Sequence, residues 1–226
     1  MIKNSKNFWV KGISLLALTV VVTGLLLFLP AGSFNYWQAW LFMGVLFIPF
    51  IFVVLYLIRN NPDLIERRLR FKEKEAGEKT IIKLSQVVFF IGILVPGFDY
   101  RFGWSHVPFW LVIAADIVIF LGYMLIFLTF KENSYASRIV EVEKKQKICT
   151  TGPYAIIRHP MYAGIIPMYI SVPLALGSYY ALIFFVPTIG VVFYRIFDEE
   201  KILSKNLKGY REYMKKVKYR LIPGIW

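Results

Sequence analysis

The residues of this 226-residue chain that could bind a ligand or support a reaction lie mostly in its last third. They form three clusters, at residues 151–164, 195–203 and 209–224. Each cluster carries charged side chains, and the first and third add several tyrosines and glycines. Polar groups that converge in this way are typical of a small-molecule site. We therefore expect the chemistry of the chain to reside in this region.

The first cluster contains the sequence Arg158-His159-Pro160. A proline disfavours helical geometry in the residue before it, so His159 is predicted to be extended, with backbone groups around it unpaired at the start of the next helix. Exposed amides at a helix start, beside the charge of Arg158, suit a carboxylate or phosphate. Tyr162 adds a ring with a polar tip, and Gly164 permits close approach of a ligand. An ordinary loop-to-helix junction at a membrane surface explains the same residues, and both interpretations stay open.

The second cluster joins Arg195 to the acidic triplet Asp198-Glu199-Glu200. Carboxylates at the end of an apolar helix cost desolvation unless they are solvated or paired. They can accept hydrogen bonds from ribose hydroxyls or an adenine amino group. The alternative is a solvated helix extension with ordinary surface charges, and the pattern favours the ligand contact.

Several other chemistries find little support in the sequence. The two histidines, His106 and His159, are too far apart to indicate a metal site. Cys149 has no histidine close by and is interpreted as inert, and Asp116 is better explained as a polar packing contact than as a catalytic group. Neither a Walker A loop nor a Rossmann fingerprint occurs. A nucleotide cofactor must therefore be held by something other than a soluble α/β fold.

The elements that position these clusters are long apolar runs. The chain is 58% hydrophobic and only 18% charged, whereas about 25% charged residues is usual in soluble domains. Runs of this length and composition predict membrane-spanning helices. The last run contains a turn at residues 176–179 and is therefore predicted to form a hairpin. The uncharged or nearly uncharged runs are residues 12–29, 36–58, 84–98, 107–130 and 161–197.

The basic residues predict how these runs are oriented. If the N-terminus and residues 59–83, 131–160 and 195–226 share one side, 26 of the 27 Lys and Arg residues lie there. Cytoplasmic segments carry such an excess, so we predict that both termini are cytoplasmic. The fold class is thus an all-α, polytopic membrane protein with four transmembrane helices plus a C-terminal helical hairpin. The net charge of +13 then indicates contact with an anionic lipid surface rather than with nucleic acid.

The chain divides functionally near residue 130. Residues 1–130 are predicted to hold the N-terminal transmembrane helices and the basic cytoplasmic loop at 59–83, where residues 64–69 suit a short amphipathic helix on the membrane surface. Residues 131–226 are predicted to form the catalytic, cofactor-binding region with a basic C-terminal tail.

The order and spacing of the three clusters resemble the isoprenylcysteine carboxyl methyltransferase family, and are similar to the related phospholipid N-methyltransferases. The resemblance covers residues 130–226 in motif detail and the whole chain in its multi-helix plan. The motifs that carry it are Arg158-His159-Pro160-x-Tyr162-x-Gly164, Glu199-Glu200 with Leu203, and Gly209-Tyr210 through Tyr213 to Arg220-x-Ile222-Pro223.

The resemblance implies an enzyme that uses S-adenosylmethionine as cofactor and binds it on the cytoplasmic side of a multi-pass membrane protein. Arg158 and Arg195 would then lie near the acceptor or the cofactor carboxylate as catalytic residues. No metal is implied. The residues expected to bind the cofactor are Tyr154, His159, Pro160, Tyr162, Gly164, Glu199, Glu200 and Leu203.

The same resemblance implies a lipophilic methyl acceptor, a prenylcysteine-type carboxylate or a related lipid, that enters sideways from the bilayer. Methyl transfer is an in-line displacement in which alignment does most of the work. A carboxylate acceptor is already ionised, whereas an amine would need a base. The protein would lie in the cytoplasmic membrane of a prokaryote or the endoplasmic reticulum of a eukaryote.

Two other functions remain open. Membrane sterol and steroid reductases, which use NADPH, share a similar C-terminal pattern. They often carry Asn before the tyrosine and an acidic residue after the glycine, where this chain has Met161 and Ile165. That departure favours methyl transfer. A non-catalytic, lipid-binding membrane protein of the same fold is the third interpretation.

Overall fold

The computed structural model describes residues 6–68, 76–136, 142 and 146–226, and within these the side chains of 6–11 and 76–86 are not described. Every regular element in these ranges is helical, which confirms the predicted all-α class. A short 3-10 helix spans Gly152–Ala155. The α-helices are α1 (Lys6–Ala31), α2 (Trp37–Asn60), α3 (Pro62–Arg68), α4 (Ala76–Phe102), α5 (Phe109–Glu132), α6 (Pro160–Ala175), α7 (Leu182–Asn206) and α8 (Tyr210–Lys216).

The longest apolar runs form helices of membrane-spanning length. Helices α2 and α5 have 24 residues each, which is about 36 Å at 1.5 Å per residue and exceeds a bilayer core of about 30 Å. Among the described residues, three stretches are long and apolar enough to cross a membrane, namely Gly12–Ala31, Trp37–Asn60 and Phe109–Glu132. The chain is thus a helical membrane protein, and the number of crossings stays a prediction.

Residues 62–68 and 76–83, which lie within the predicted basic loop at 59–83, are helical. The amphipathic helix expected at 64–69 is α3, which buries Leu64; Leu69 lies outside the described residues. Helix α4 begins at Ala76, eight residues before the apolar run at 84–98. A started helix extends at little cost through residues of adequate helix propensity. Hydropathy alone therefore placed the start of α4 too late.

Helices α6 and α7 form the predicted hairpin and pack against each other. The chain reverses at Gly177, whose φ of +74° lies in the left-handed region that glycine adopts without strain. The predicted turn at 176–179 is therefore confirmed. The hairpin brings the end of α7 beside the beginning of α6.

The position of α6 is set by a close approach to α5 at two glycines. A Cβ atom on Gly164 would come within 2.9 Å of the backbone oxygen of Gly122, and one on Gly122 would come within 2.4 Å of the Met168 side chain. Small residues let helix backbones approach closely in membrane proteins. This contact holds the first turns of α6 against α5.

The end of the bundle that holds the α6–α7 turn is closed by polar contacts around Asp99. That carboxylate is 1% exposed and accepts hydrogen bonds from the Ser105 amide and hydroxyl and from the Ser178 hydroxyl. The Tyr36 hydroxyl donates to the Leu176 carbonyl. We call these five residues the closed end of the bundle.

Asp116 does not make the polar packing contact that the sequence suggested. It is buried in α5, and neither carboxylate oxygen has a hydrogen-bond partner in the part of the chain that the structure describes.

Candidate functional site

A cavity of about 630 Å³ lies at the opposite end of the bundle, where α6 begins and α7 ends. Pockets of 300–1,000 Å³ are the usual size for small-molecule sites. Elements from both halves of the chain contribute to its wall. The residues of the wall discussed below are Arg68, Phe89, Phe90, Asn133, Ala136, Tyr154, Arg158, His159, Pro160, Met161, Tyr162, Arg195, Glu199, Leu203, Leu207, Tyr210 and Tyr213.

The Arg158-His159-Pro160 segment enters α6 in the predicted way. His159 has φ −125° and ψ 62°, and Pro160 occupies the first position of α6, where its missing amide costs nothing. The backbone amides of Arg158 and His159 are not free, however. They donate to the carbonyls of Tyr219 and Arg220 at 2.9 Å each. The prediction of unpaired amides was wrong because two backbone carbonyls about sixty residues later in the chain accept hydrogen bonds from them.

Glu200 is the centre of a buried ion-pair network behind this segment. It is 5% exposed. Its Oε1 lies 2.7 Å from Arg158 Nε and 3.1 Å from His159 Nε2, and its Oε2 accepts from Arg220 Nε at 2.9 Å. Glu200 is therefore neither a solvated surface charge nor part of the cavity wall. It holds the residues that form that wall.

The network keeps Glu200 ionised. Burial by itself would raise the pKa of this carboxyl, but hydrogen bonds and the charges from His159 and Arg158 outweigh burial and lower the pKa to about 2. Arg158 is also committed elsewhere, since its Nη1 donates to the carbonyls of Val217 and Lys218 at 2.8 and 2.7 Å. The charge of Arg158 thus stabilises the fold of the C-terminal segment.

Glu199 faces the cavity, in contrast to its neighbour. The Tyr162 hydroxyl donates to its Oε2 at 3.0 Å, and Arg195 also interacts with Tyr162. All three residues lie on the wall. One side of the cavity therefore presents a carboxylate, a guanidinium and a phenol to a ligand.

Another part of the wall is a layer of tyrosines and aliphatic side chains. The Tyr213 hydroxyl donates to the Tyr154 carbonyl at 2.8 Å, and Asn133 Nδ2 donates to the Tyr154 hydroxyl at 2.9 Å. Burial raises the pKa values of Tyr154 and Tyr213, so both phenols stay neutral at pH 7. Leu203 and Leu207 pack on the same layer. Such a surface suits a flat heteroaromatic ring.

The structure brings eight of the ten predicted site residues to one cavity. Gly164 and Glu200 are absent from the wall. Gly164 contacts Gly122 of α5, so a ligand cannot approach it on that face. Glu200 lies in the ion-pair network instead.

Sequence reasoning missed several wall residues. Arg68, Phe89 and Phe90 come from α3 and α4, in the half of the chain assigned to transmembrane helices, and no local motif marks them. Tyr210 and Tyr213 belong to the third cluster, so their spacing did carry a signal. The division of the chain near residue 130 remains a prediction. Residues from before and after this position line the cavity.

The fold and the cavity define a class, a helical membrane protein with a cofactor-sized site at one end of its bundle. Residues 112–205 match the sequence model of the isoprenylcysteine carboxyl methyltransferase (ICMT) family. The resemblance indicated by the motifs is therefore confirmed for the segment that holds α5, α6 and α7, and the chain is similar to a family of membrane methyltransferases.

A solved structure agrees with this result. The chain superposes on the structure of the eukaryotic intramembrane Ras methyltransferase ICMT with a TM-score of 0.54 and 22% sequence identity, over 90% of this chain and 74% of that one. At this identity the match shows that the two proteins share a fold.

Curated sterol reductases match a shorter part of the chain. The Delta(14)-sterol reductase of Mus musculus is 27% identical over 108 residues, which is 43% of this chain and 25% of the reductase. The 7-dehydrocholesterol reductase of Danio rerio is 34% identical over 101 residues, 43% of this chain and 21% of the reductase. The matches thus cover about a quarter of the length of these reductases.

Proposed function

We propose that this chain is an S-adenosylmethionine-dependent membrane methyltransferase that acts on a lipophilic acceptor. The observation that carries the proposal is the cavity, which combines a polar side at Tyr162, Arg195 and Glu199 with a tyrosine side at Tyr154 and Tyr213. It lies in a fold shared with a methyltransferase.

The chemistry of the wall fits the cofactor. The tyrosine side suits an adenine ring, the Glu199 carboxylate can accept hydrogen bonds from ribose hydroxyls or an ammonium group, and Arg195 can pair with a carboxylate. When bound, S-adenosylmethionine would supply an electrophilic methyl group on a sulfonium sulfur, with the neutral thioether of S-adenosylhomocysteine as the leaving group.

The residues of the chain would act by binding and alignment. Tyr162 fixes the Glu199 carboxylate by its hydrogen bond, and the Glu200 network fixes His159 and Pro160 at the start of α6. Phe89 and Phe90 add apolar surface from α4, which suits the lipophilic part of an acceptor. Alignment of this kind is sufficient for the transfer, and a carboxylate acceptor requires no general base.

The proposal includes a location. We place the cavity, both termini and the basic α8 on the cytoplasmic side of a multi-pass membrane protein, with exposed Lys215 and Lys216 near anionic lipid headgroups. The Lys215→Cys variant, in a Cys149→Ser background, should react with an impermeant maleimide only after the cells are permeabilised. Reaction in intact cells would show that α8 lies on the opposite side of the membrane from the one proposed.

The test of the function is equilibrium binding to the purified protein in detergent. Titration calorimetry with S-adenosylmethionine, S-adenosylhomocysteine and NADPH should show saturable binding of the first two alone. The Glu199→Gln variant should lose affinity for both, whereas Glu212→Gln, on the exposed face of α8, should bind as the parent does. Unchanged affinity in Glu199→Gln would remove that residue from the site.

A reductase is the second candidate because of the sterol reductase matches. Binding of NADPH without S-adenosylmethionine would establish it. A folded protein that binds none of the three ligands would instead support the non-catalytic, lipid-binding interpretation.

A further inference from the structure

We infer that Arg68 is a carboxylate-binding residue of the cavity, an assignment that rests on the proposed function. Arg68 is the last residue of α3 and lies outside the segment 112–205 that matches the family model. Its side chain is half-buried and forms part of the cavity wall. The inference adds a residue from the N-terminal half of the chain to the binding site.

The guanidinium of Arg68 is held at a defined place. Its Nη1 donates to the Ala136 carbonyl at 3.0 Å and lies 3.7 Å from the sulfur of Met161. Its Cζ lies 4.5 Å from the centre of the Phe130 ring. Ala136 and Met161 are themselves wall residues, so the charge is positioned at the cavity before a ligand arrives. A group that is already ordered loses little entropy on binding.

The sequence placed Arg158 and Arg195 near a carboxylate, and the structure adds Arg68 to the same wall. Sequence reasoning placed Arg158 near a carboxylate of the cofactor or acceptor, yet its Nε pairs with Glu200 and its Nη1 serves two backbone carbonyls. Arg195 lies with Tyr162 on the polar side. Arg68 enters the wall from α3, beside Met161 at the start of α6.

The ligand chemistry is a carboxylate, which a planar guanidinium can bind through two parallel hydrogen bonds. Two molecules could supply it at this site. One is the cofactor, through its amino-acid carboxylate, and the other is the acceptor, through a prenylcysteine-type carboxylate. An experiment can separate these sources because the cofactor can be replaced by an analogue that lacks the amino-acid carboxylate.

The matched control is Arg67, the preceding residue. Its Nη1 donates to the Ser134 carbonyl at 2.9 Å and its Cζ lies 4.9 Å from the Tyr135 ring centre. Arg67 thus attaches α3 to the same loop as Arg68 does, but it is absent from the cavity wall. Arg68→Gln and Arg67→Gln therefore each remove an arginine contact between α3 and residues 134–136, and only the first removes a charge from the cavity wall.

The experiment measures dissociation constants of the parent, Arg68→Gln, Arg68→Lys and Arg67→Gln by titration calorimetry. The probes are S-adenosylhomocysteine, methylthioadenosine, which lacks the amino-acid carboxylate, and N-acetyl-S-farnesylcysteine added after S-adenosylhomocysteine. Arg68→Gln should weaken one carboxylate-bearing probe about tenfold or more. Arg68→Lys should recover part of the loss, and Arg67→Gln should bind as the parent does.

Each outcome decides the inference. Weaker binding of S-adenosylhomocysteine with unchanged methylthioadenosine assigns Arg68 to the cofactor carboxylate. Weaker binding of the farnesylcysteine alone assigns it to the acceptor. Equal losses in Arg68→Gln and Arg67→Gln, or parental binding by Arg68→Gln, overturn the assignment and leave the proposed function intact. A parent that binds no probe contradicts both.

Discussion

The two ends of the helical bundle each bury a carboxylate, and they treat it differently. At the closed end, Asp99 accepts hydrogen bonds from the neutral groups of Ser105 and Ser178. At the cavity end, Glu200 is surrounded by Arg158, His159 and Arg220.

The difference reflects what each end has to hold. The closed end joins short turns that are close in space, so hydroxyl and amide donors from those turns suffice. The cavity end must hold an extended segment and a C-terminal tail around an open space, where apolar packing is interrupted. Charged donors with long side chains can bridge that space. The buried ion-pair network of Glu200 therefore lies at the end of the bundle where the residues of the cavity must be held in position.

The largest expected effect comes from Glu200→Gln, which removes the charge at the centre of the network. Breaking a buried ion pair by removing one partner costs about 3–5 kcal/mol, because Arg158 and Arg220 then lack a counter-charge. We expect a loss of roughly 10 °C in the melting temperature in detergent, with weaker binding of S-adenosylhomocysteine. Differential scanning fluorimetry and calorimetry measure the two effects.

Glu212→Gln is the control for this variant, since Glu212 is exposed on α8 and should leave both quantities unchanged. A Glu200→Gln protein that melts with the parent would show that the network contributes nothing to stability.

The stability difference between the parent and Glu200→Gln should depend on pH. The pKa of Glu200 is lowered from 4.5 to about 2 in the folded chain, so the ionised carboxylate stabilises the fold above pH 4.5. That contribution declines as the pH falls from about 4.5 towards 2. Melting temperatures of both proteins at pH 7, 5, 4 and 3 should converge, and a difference that is constant down to pH 3 would refute the assigned pKa.

The same comparison shows how much of the fold followed from the sequence. Membrane helices follow from uncharged runs, and glycine marks the turn at Gly177, so the helices and the hairpin were predictable. The start of α4 was not, because residues 76–83 include the charged Glu78, Lys79 and Lys83 and yet are helical. Hydropathy reports the environment of a residue rather than its backbone conformation.

The site was predictable where its residues are neighbours in the sequence. The motifs at 158–164 and 199–203 marked six predicted site residues that the structure places on the wall, namely Arg158, His159, Pro160, Tyr162, Glu199 and Leu203. The partners of the Arg158 and His159 amides lie at Tyr219 and Arg220, and spacing alone carries no information about such distant pairing. The inclusion of Arg68 depends on how α3 packs, which no local pattern encodes.

A smaller effect is expected from Gly164→Ala, which tests how α5 positions the cavity end. The added Cβ would lie 2.9 Å from the Gly122 backbone oxygen, so α6 must shift, at a cost of about 1–3 kcal/mol. We expect a lower melting temperature and several-fold weaker binding of S-adenosylhomocysteine. Gly190→Ala in α7, where a Cβ meets nothing within 4 Å, should not destabilise the protein. Unaltered binding by Gly164→Ala would mean that the cavity tolerates movement of α6.

The smallest effect is expected from Ser178→Ala at the closed end. The substitution removes one of the three donors to Asp99 and the acceptor of the Ala181 amide, while Ser105 still donates twice to the carboxylate. Loss of such neutral contacts costs about 1–2 kcal/mol. The melting temperature should therefore fall by a few degrees, and the affinity for S-adenosylhomocysteine should stay at the parental value, because α6 still begins at the same place. Fluorimetry and calorimetry on the same preparation test both parts. If Ser178→Ala weakened cofactor binding as strongly as Glu200→Gln, the two ends would be coupled along the α6–α7 hairpin, and the division of the bundle into a closed end and a positioning end would fail.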